Sequence, residues 1–318
     1  MNCLVTGGAG FIGSHLCMTL LAQGDTVVVL DDLSTGSMHN IVSLQSNERF
    51  TFFKGSILNR TLLEHILSLG IDEVYHLAAV VGVDLVLEHP LRTIEVNATG
   101  SELVFDACER FGCRVIYTSS SEVYGNGPGA VFEESSLRQY GATDKLRWTY
   151  AIAKSMGEQS ALARFQEHQF PITIARLFNT IGPGQSAAHG MVVPTFIKQA
   201  RLGKPITIYG NGEQRRCFSW VGDICSALIG LMRSSNTLGQ CYNIGSNEEI
   251  SIKELAEIVR HSTASISELC FIPYEHAYNR NFDEIFHRKP SIVKIQQAIG
   301  YQPSLSLSQM IDSIVHLD

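Results

Sequence analysis

A chain of 318 residues, 45% hydrophobic and 17% charged, holds enough apolar material for the core of one large or two modest domains and is too apolar to be disordered. Its formal charge of −7, without any run of Lys or Arg, argues against a basic face for nucleic acid. No apolar run approaches the ~18 residues of a spanning helix, so no membrane association is expected.

In chain order, residues 2–6 read as a short buried strand, followed by a glycine turn and a helix over 11–23. A second strand over 26–30 ends at Asp31-Asp32. Strands at 50–53, 73–77 and 114–118 alternate with helices at 62–69 and 92–111. Such alternation, with strands apolar on both faces, predicts an α/β fold built on a doubly wound parallel sheet. Beyond about residue 174 the pattern loosens. Short strands at 207–209 and 241–244 and helices at 191–202, 221–232 and 252–260 predict a smaller C-terminal substrate-binding lobe, with some segments returning to the first sheet.

The run Thr6-Gly7-Gly8-Ala9-Gly10-Phe11-Ile12-Gly13 follows the first strand and opens the first helix. It satisfies Gly-x-Gly-x-x-Gly through Gly8, Gly10 and Gly13, and a three-residue rhythm through Gly7, Gly10 and Gly13. Glycine allows a tight turn and close backbone approach, and the helix N-terminus offers free N–H groups to a pyrophosphate. Asp31, at the end of the second strand, stands where an acid meets the adenosine ribose, and no Arg directly follows it. NAD is therefore favoured over NADP. The prediction is a Rossmann-like NAD-binding domain over 1–175 and a second lobe over 176–318.

Tyr150 and Lys154 lie one helical turn apart on one face, after a strand-like run ending in Ser119-Ser120-Ser121-Glu122. An adjacent ammonium favours a phenolate, so the pair is expected to lower the phenol's pKa and take a proton from an alcohol as hydride leaves the same carbon. The eight cysteines are scattered, and neither they nor the eleven histidines show metal-ligand spacing. Reduced thiols, no metal and, with no basic N-terminal flank, a cytoplasmic location are expected.

With the glycines, Asp31, Ser120 and the Tyr150/Lys154 pair in this order, the chain resembles the extended short-chain dehydrogenase/reductases that modify nucleotide sugars. His76-Leu77-Ala78-Ala79, Asn97-Ala98-Thr99-Gly100 and Ser121-Glu122-Val123-Tyr124-Gly125 match further segments of that family. The resemblance implies a cofactor site of Gly7, Gly10, Phe11, Ile12, Gly13, Asp31, Ser56, Ile57, Leu77, Ala78, Ala79, Asn97, Tyr150 and Lys154. Ser56 is a departure, since relatives usually carry an Asp there. A substrate site of Ser121, Asn179, Val193, Tyr209, Arg216 and Arg288 is implied for a UDP-sugar, with Asn179 and Arg216 at its diphosphate.

Within that family the chain is most similar to UDP-glucuronate decarboxylases, through Lys145-Leu146-Arg147-Trp148-Thr149-Tyr150, Arg216-Cys217-Phe218 and His287-Arg288-Lys289-Pro290. The implied catalytic set is Ser120, Glu122, Tyr150, Lys154 and Arg288. Ser120 would hold the C4 oxygen and Arg288 would orient the substrate carboxylate or diphosphate. Glu122 would hold the ring or help handle the proton that replaces carbon dioxide. Ser121 stands where related 4,6-dehydratases have an Asp, so the acid for water loss is missing. A UDP-hexose or UDP-uronate 4-epimerase is the alternative, and a non-catalytic NAD or sugar-nucleotide binder is disfavoured by the intact Ser120, Tyr150 and Lys154. A homodimer through the helices of Asn97 and Tyr150 is also implied.

Overall fold

The apolar runs read from the sequence form the middle of one parallel sheet. The computed structural model describes residues 1–188, 190–273 and 288–317. In it seven strands lie in the order β3-β2-β1-β4-β5-β6-β7: β1 Asn2–Thr6, β2 Thr26–Asp31, β3 Phe50–Lys54, β4 Glu73–His76, β5 Arg114–Ser120, β6 Ile172–Leu177 and β7 Cys241–Ile244. All neighbouring pairs are parallel. Winding reverses between β1 and β4, and in such sheets a crevice opens there beyond the carboxyl ends of the strands.

Both faces of the sheet are covered, which is why its strands read as continuous apolar runs. Leu16 and Leu20 of helix Phe11–Ala22 and Ile224 and Leu228 of helix Val221–Arg233 pack on one side. Leu63 and Ile66 of helix Arg60–Leu67, Phe105 of helix Ser101–Phe111 and Ala161 of helix Thr149–His168 pack on the other. A separate core around Phe196, Ile208, Leu255 and Ile311 fills the C-terminal lobe. Its helix Ile252–Ser262 starts at a reciprocal Ser251/Glu254 cap, which satisfies two N–H groups of its first turn.

The predicted boundary at 175/176 falls inside Ile172–Leu177, and Cys241–Ile244 from the later half completes the sheet. The helix predicted over 92–111 is three pieces: Pro90–Ile94, a wide π turn at Glu95–Gly100, and Ser101–Phe111. Asn97 sits in that turn, and its carbonyl accepts the Ser101 hydroxyl at 2.8 Å. In the C-terminal part, Lys289–Pro290 pairs with Val131–Phe132, bringing Arg288 beside the end of Arg114–Ser120. His287, the first residue of the segment likened to decarboxylases, lies outside the described residues.

Candidate active site

Local chain geometry builds the cofactor end of the crevice. Gly7 has a φ of +73°, and a Cβ there would stand 2.8 Å from the Ala78 nitrogen. A Cβ on Gly13 would lie 2.2 Å from the Gly7 oxygen. Side chains would therefore fill this cradle. The helix that begins at Phe11 has no side-chain N-cap and no acid in its first turn, leaving N–H groups and the positive end of its dipole for an anionic ligand. Asp31 is buried and accepts the Ala9 amide at 2.9 Å and the Leu33 amide at 2.8 Å. Burial pushes its pKa up, while these two donors pull it back.

Gly10, Phe11, Ile12, Ser56, Ile57, Leu77, Ala78 and Ala79 all line the same crevice with Asp31. Its donor set fits a dinucleotide: a backbone cradle for a pyrophosphate, then an acid at the next strand end. Asn97 does not line it. Fully buried, it spends its amide on Val80, accepting the backbone N–H at 2.8 Å and donating to the carbonyl at 2.9 Å. Its role in this structure is to fix the strand-end backbone that faces the cofactor, since a buried peptide group needs a partner and Asn97 supplies both halves. His76, one strand position from Leu77, is held between Thr6 and Ser101, and burial drives its pKa down to about 3. It is a neutral buttress. Among the described residues no group of His, Cys, Asp or Glu could hold a metal.

Ser120, Tyr150 and Lys154 line the same crevice, and Ser120 is hydrogen-bonded to the Tyr150 phenol. The expected lowering of the phenol's pKa by Lys154 is not found. Burial pushes Tyr150 well above the ordinary range and Glu122 adds to this, while the hydrogen bond to Ser120 and the charge of Arg288 pull the other way. The Lys154 ammonium is instead turned to the Thr118 carbonyl at 2.8 Å and lies 4.8 Å over the Tyr117 ring. Burial drives Lys154 down to about 7, opposed by Glu158. It is thus poised to exchange a proton near neutral pH.

At the substrate end, Glu122 lies between two guanidinium groups. Arg147 Nη1 donates to Oε2 at 2.7 Å, and Arg288 Nη2 donates to Oε1. Burial raises the Glu122 pKa, but Arg288 and Arg147 overcome it and hold the carboxyl down at about 2. So held, the carboxyl is charged at neutral pH. Ser121, Asn179, Val193, Tyr209 and Arg216 complete the walls of a crevice of about 610 Å³, shared between the two lobes. Asn179 donates to the Cys217 carbonyl at 3.0 Å, and this contact ties the strand-end loop to the segment bearing Arg216.

Sequence reasoning missed Arg147 and Gln214, both of which face the crevice. Arg147 stood in the segment likened to decarboxylases but was given no role, because it lies in a turn that carries no periodic pattern. Arg176, three residues before Asn179, is structural: it makes a two-point pair with Glu158 and donates to the Tyr124 hydroxyl at 2.7 Å.

The sequence matches the NAD dependent epimerase/dehydratase family over residues 3–245. It is 37% identical to a UDP-N-acetyl-alpha-D-glucosaminuronate decarboxylase of Bacillus cytotoxicus, over 97% of this chain and 94% of that protein. Identity to UDP-glucuronic acid decarboxylase 2 of Arabidopsis thaliana is 32%, over 99% of this chain and 67% of the relative. Among solved structures, the UDP-glucuronic acid 4-epimerase of Bacillus cereus in complex with UDP-glucuronic acid and NAD superposes with a TM-score of 0.89 at 30% identity, covering 100% of this chain and 98% of that one. With the glycine cradle, Asp31 and the Ser120/Tyr150/Lys154 cluster in one crevice, these matches establish that the chain belongs to the NAD dependent epimerase/dehydratase family.

Proposed function

We propose that the protein decarboxylates a UDP-linked hexuronic acid through a transient 4-keto sugar. The observation that carries this reading is the Arg147–Glu122–Arg288 cluster beside Tyr150. Two guanidinium groups meet one carboxylate there, and guanidinium is the group that binds a carboxylate by a two-point pair. The Bacillus cytotoxicus and Arabidopsis relatives support the same chemistry, and the first of them names a 2-acetamido uronate.

Bound NAD supplies a reversible acceptor for the hydride on sugar C4. Gly7, Gly10 and Gly13 with the helix start at Phe11 would hold its pyrophosphate, and Asp31 its ribose. Ser120 holds the C4 oxygen, and Tyr150 takes its proton. Once C4 is a ketone, the C5–C6 bond breaks, carbon dioxide leaves, and the bond's electron pair passes to the C4 oxygen. A proton then adds at C5, Tyr150 returns its proton to the C4 oxygen, and the hydride returns to C4. The net change is uronate plus one proton to pentose plus carbon dioxide. Glu122 takes no proton in this sequence, because Arg147 keeps it charged.

A UDP-uronate 4-epimerase is the second reading, favoured by the Bacillus cereus structure. Incubation of the purified protein with UDP-glucuronate and, separately, UDP-N-acetylglucosaminuronate, followed by NMR and mass spectrometry of the products, decides between them. A UDP-pentose with loss of carbon dioxide is expected from at least one. Inversion at C4 without change of mass selects the epimerase, and no change in either sugar removes both readings.

We also infer a cytoplasmic homodimer. The free cysteines fit a reducing compartment. Ile152 and Met156 are exposed on the outer face of the catalytic helix, with Leu91 and Ile94 on an adjacent element. Such an apolar face fits pairing with its own copy. Light scattering is expected to find a dimer that Met156→Glu converts to monomer, and a monomeric wild-type protein at micromolar concentration would refute the inference.

A further inference from the structure

The two arginines on Glu122 are held in different ways. Arg147 lies in the turn Leu146–Trp148, immediately before the helix that carries Tyr150, with its guanidinium 4.8 Å over the Trp148 ring. Trp148 is 1% exposed and packs on Tyr140. The Tyr140 hydroxyl in turn donates to the Val123 carbonyl at 2.8 Å and shares a 2.6 Å hydrogen bond with Ser155 of the catalytic helix. Arg147 therefore belongs to the same rigid frame as Glu122. Arg288 comes from the far end of the chain, seated by the short pairing of Lys289–Pro290 on Val131–Phe132.

We propose that Arg147 is a positioning residue, remaining on Glu122 as a fixed counter-charge while Arg288 turns from Glu122 to the carboxylate of the substrate. This rests on the uronate reading above. An exchange of that kind would otherwise strand Glu122, since a buried carboxylate that loses its only cation takes up a proton. A protonated Glu122 would no longer draw Arg288 back after turnover. With Arg147 in place the carboxylate stays charged in both states.

Arg147, Arg288 and Tyr150 are charged or titratable groups that face Glu122. The carboxyl is depressed, so function that needs its charged form is present above its pKa and lost as pH falls through it. For the wild type at about 2, that loss lies below the working range. Removing Arg147 moves it upward.

The test compares wild type, Arg147→Gln and Arg147→Lys in pH–rate profiles for carbon dioxide release from UDP-glucuronate and UDP-N-acetylglucosaminuronate, with thermal unfolding and NAD titration to establish folding. Arg147→Gln is expected to gain an acid limb inside the working range, with kcat falling about tenfold per pH unit below its midpoint. Arg147→Lys should move most of that limb back, since it restores the charge. A pH-independent loss in Arg147→Gln, an unchanged profile, or a Lys variant that behaves like Gln overturns the proposal. If the wild type releases no carbon dioxide from either sugar, the uronate reading fails instead.

Discussion

Replacing Tyr150 by Phe is expected to lower kcat by about 10²–10⁴-fold, the span over which a positioned proton-transfer group contributes to rate. The phenol shares the crevice with Ser120 and Lys154, and burial holds it protonated at neutral pH. It can therefore accept the sugar's proton only as its own proton moves on. Lys154, driven down to about 7, is the group whose charge is most easily altered at this point. Phe preserves the ring, and losing one hydroxyl should cost no more than about 1 kcal/mol of stability. NAD and substrate affinities should stay within a few-fold. The decisive measurement is the single-turnover appearance of reduced cofactor on mixing with a UDP-uronate. A Tyr150→Phe enzyme that keeps more than a tenth of the wild-type rate for that half-reaction would remove Tyr150 from the chemistry.

The second large effect is expected from Gly13→Ala. A methyl group there would lie 2.2 Å from the Gly7 oxygen and 2.8 Å from the Gly8 Cα, and both are backbone atoms in a turn that has no slack. Either the helix beginning at Phe11 slides off the turn or the turn opens, and in both cases the N–H groups no longer converge on a pyrophosphate. Overpacking of this kind costs about 1–3 kcal/mol, and NAD affinity should fall by at least tenfold. Gly70→Ala supplies the control. Its φ is +83° but nothing lies within 4 Å of the added Cβ. It should lose about 1–2 kcal/mol from backbone strain alone, with NAD affinity unchanged. Calorimetric titration of NAD together with thermal melts separates the two, and a Gly13→Ala protein that binds NAD like the wild type would remove the cradle from the argument.

Much of the site was legible because it is encoded locally. The glycine rhythm needs only the spacing of residues 7, 10 and 13. Asp31 follows from a strand end, and the Tyr150/Lys154 pair from the helical period. Asn97 shows where such reading stops: its position was foreseen, but its amide is committed to Val80 and not to the crevice. Ile172–Leu177 and Cys241–Ile244 illustrate the same limit for the fold. Each is a short apolar run whose place in the sheet, interior for the first and edge for the second, depends on pairing with a strand remote in the chain.

The sequence by itself determined the α/β architecture, the dinucleotide cradle and the placing of Tyr150 and Lys154 one helical turn apart, because short-range periodicity and steric demands within a few residues suffice for each. Only the tertiary structure decided the charges. Burial raises Tyr150 and lowers Lys154, whereas two arginines hold Glu122 ionised, one from the adjoining turn and one from the C-terminal part. Those states depend on solvent exclusion and on the approach of groups remote in the chain, and neither is written in any local spacing.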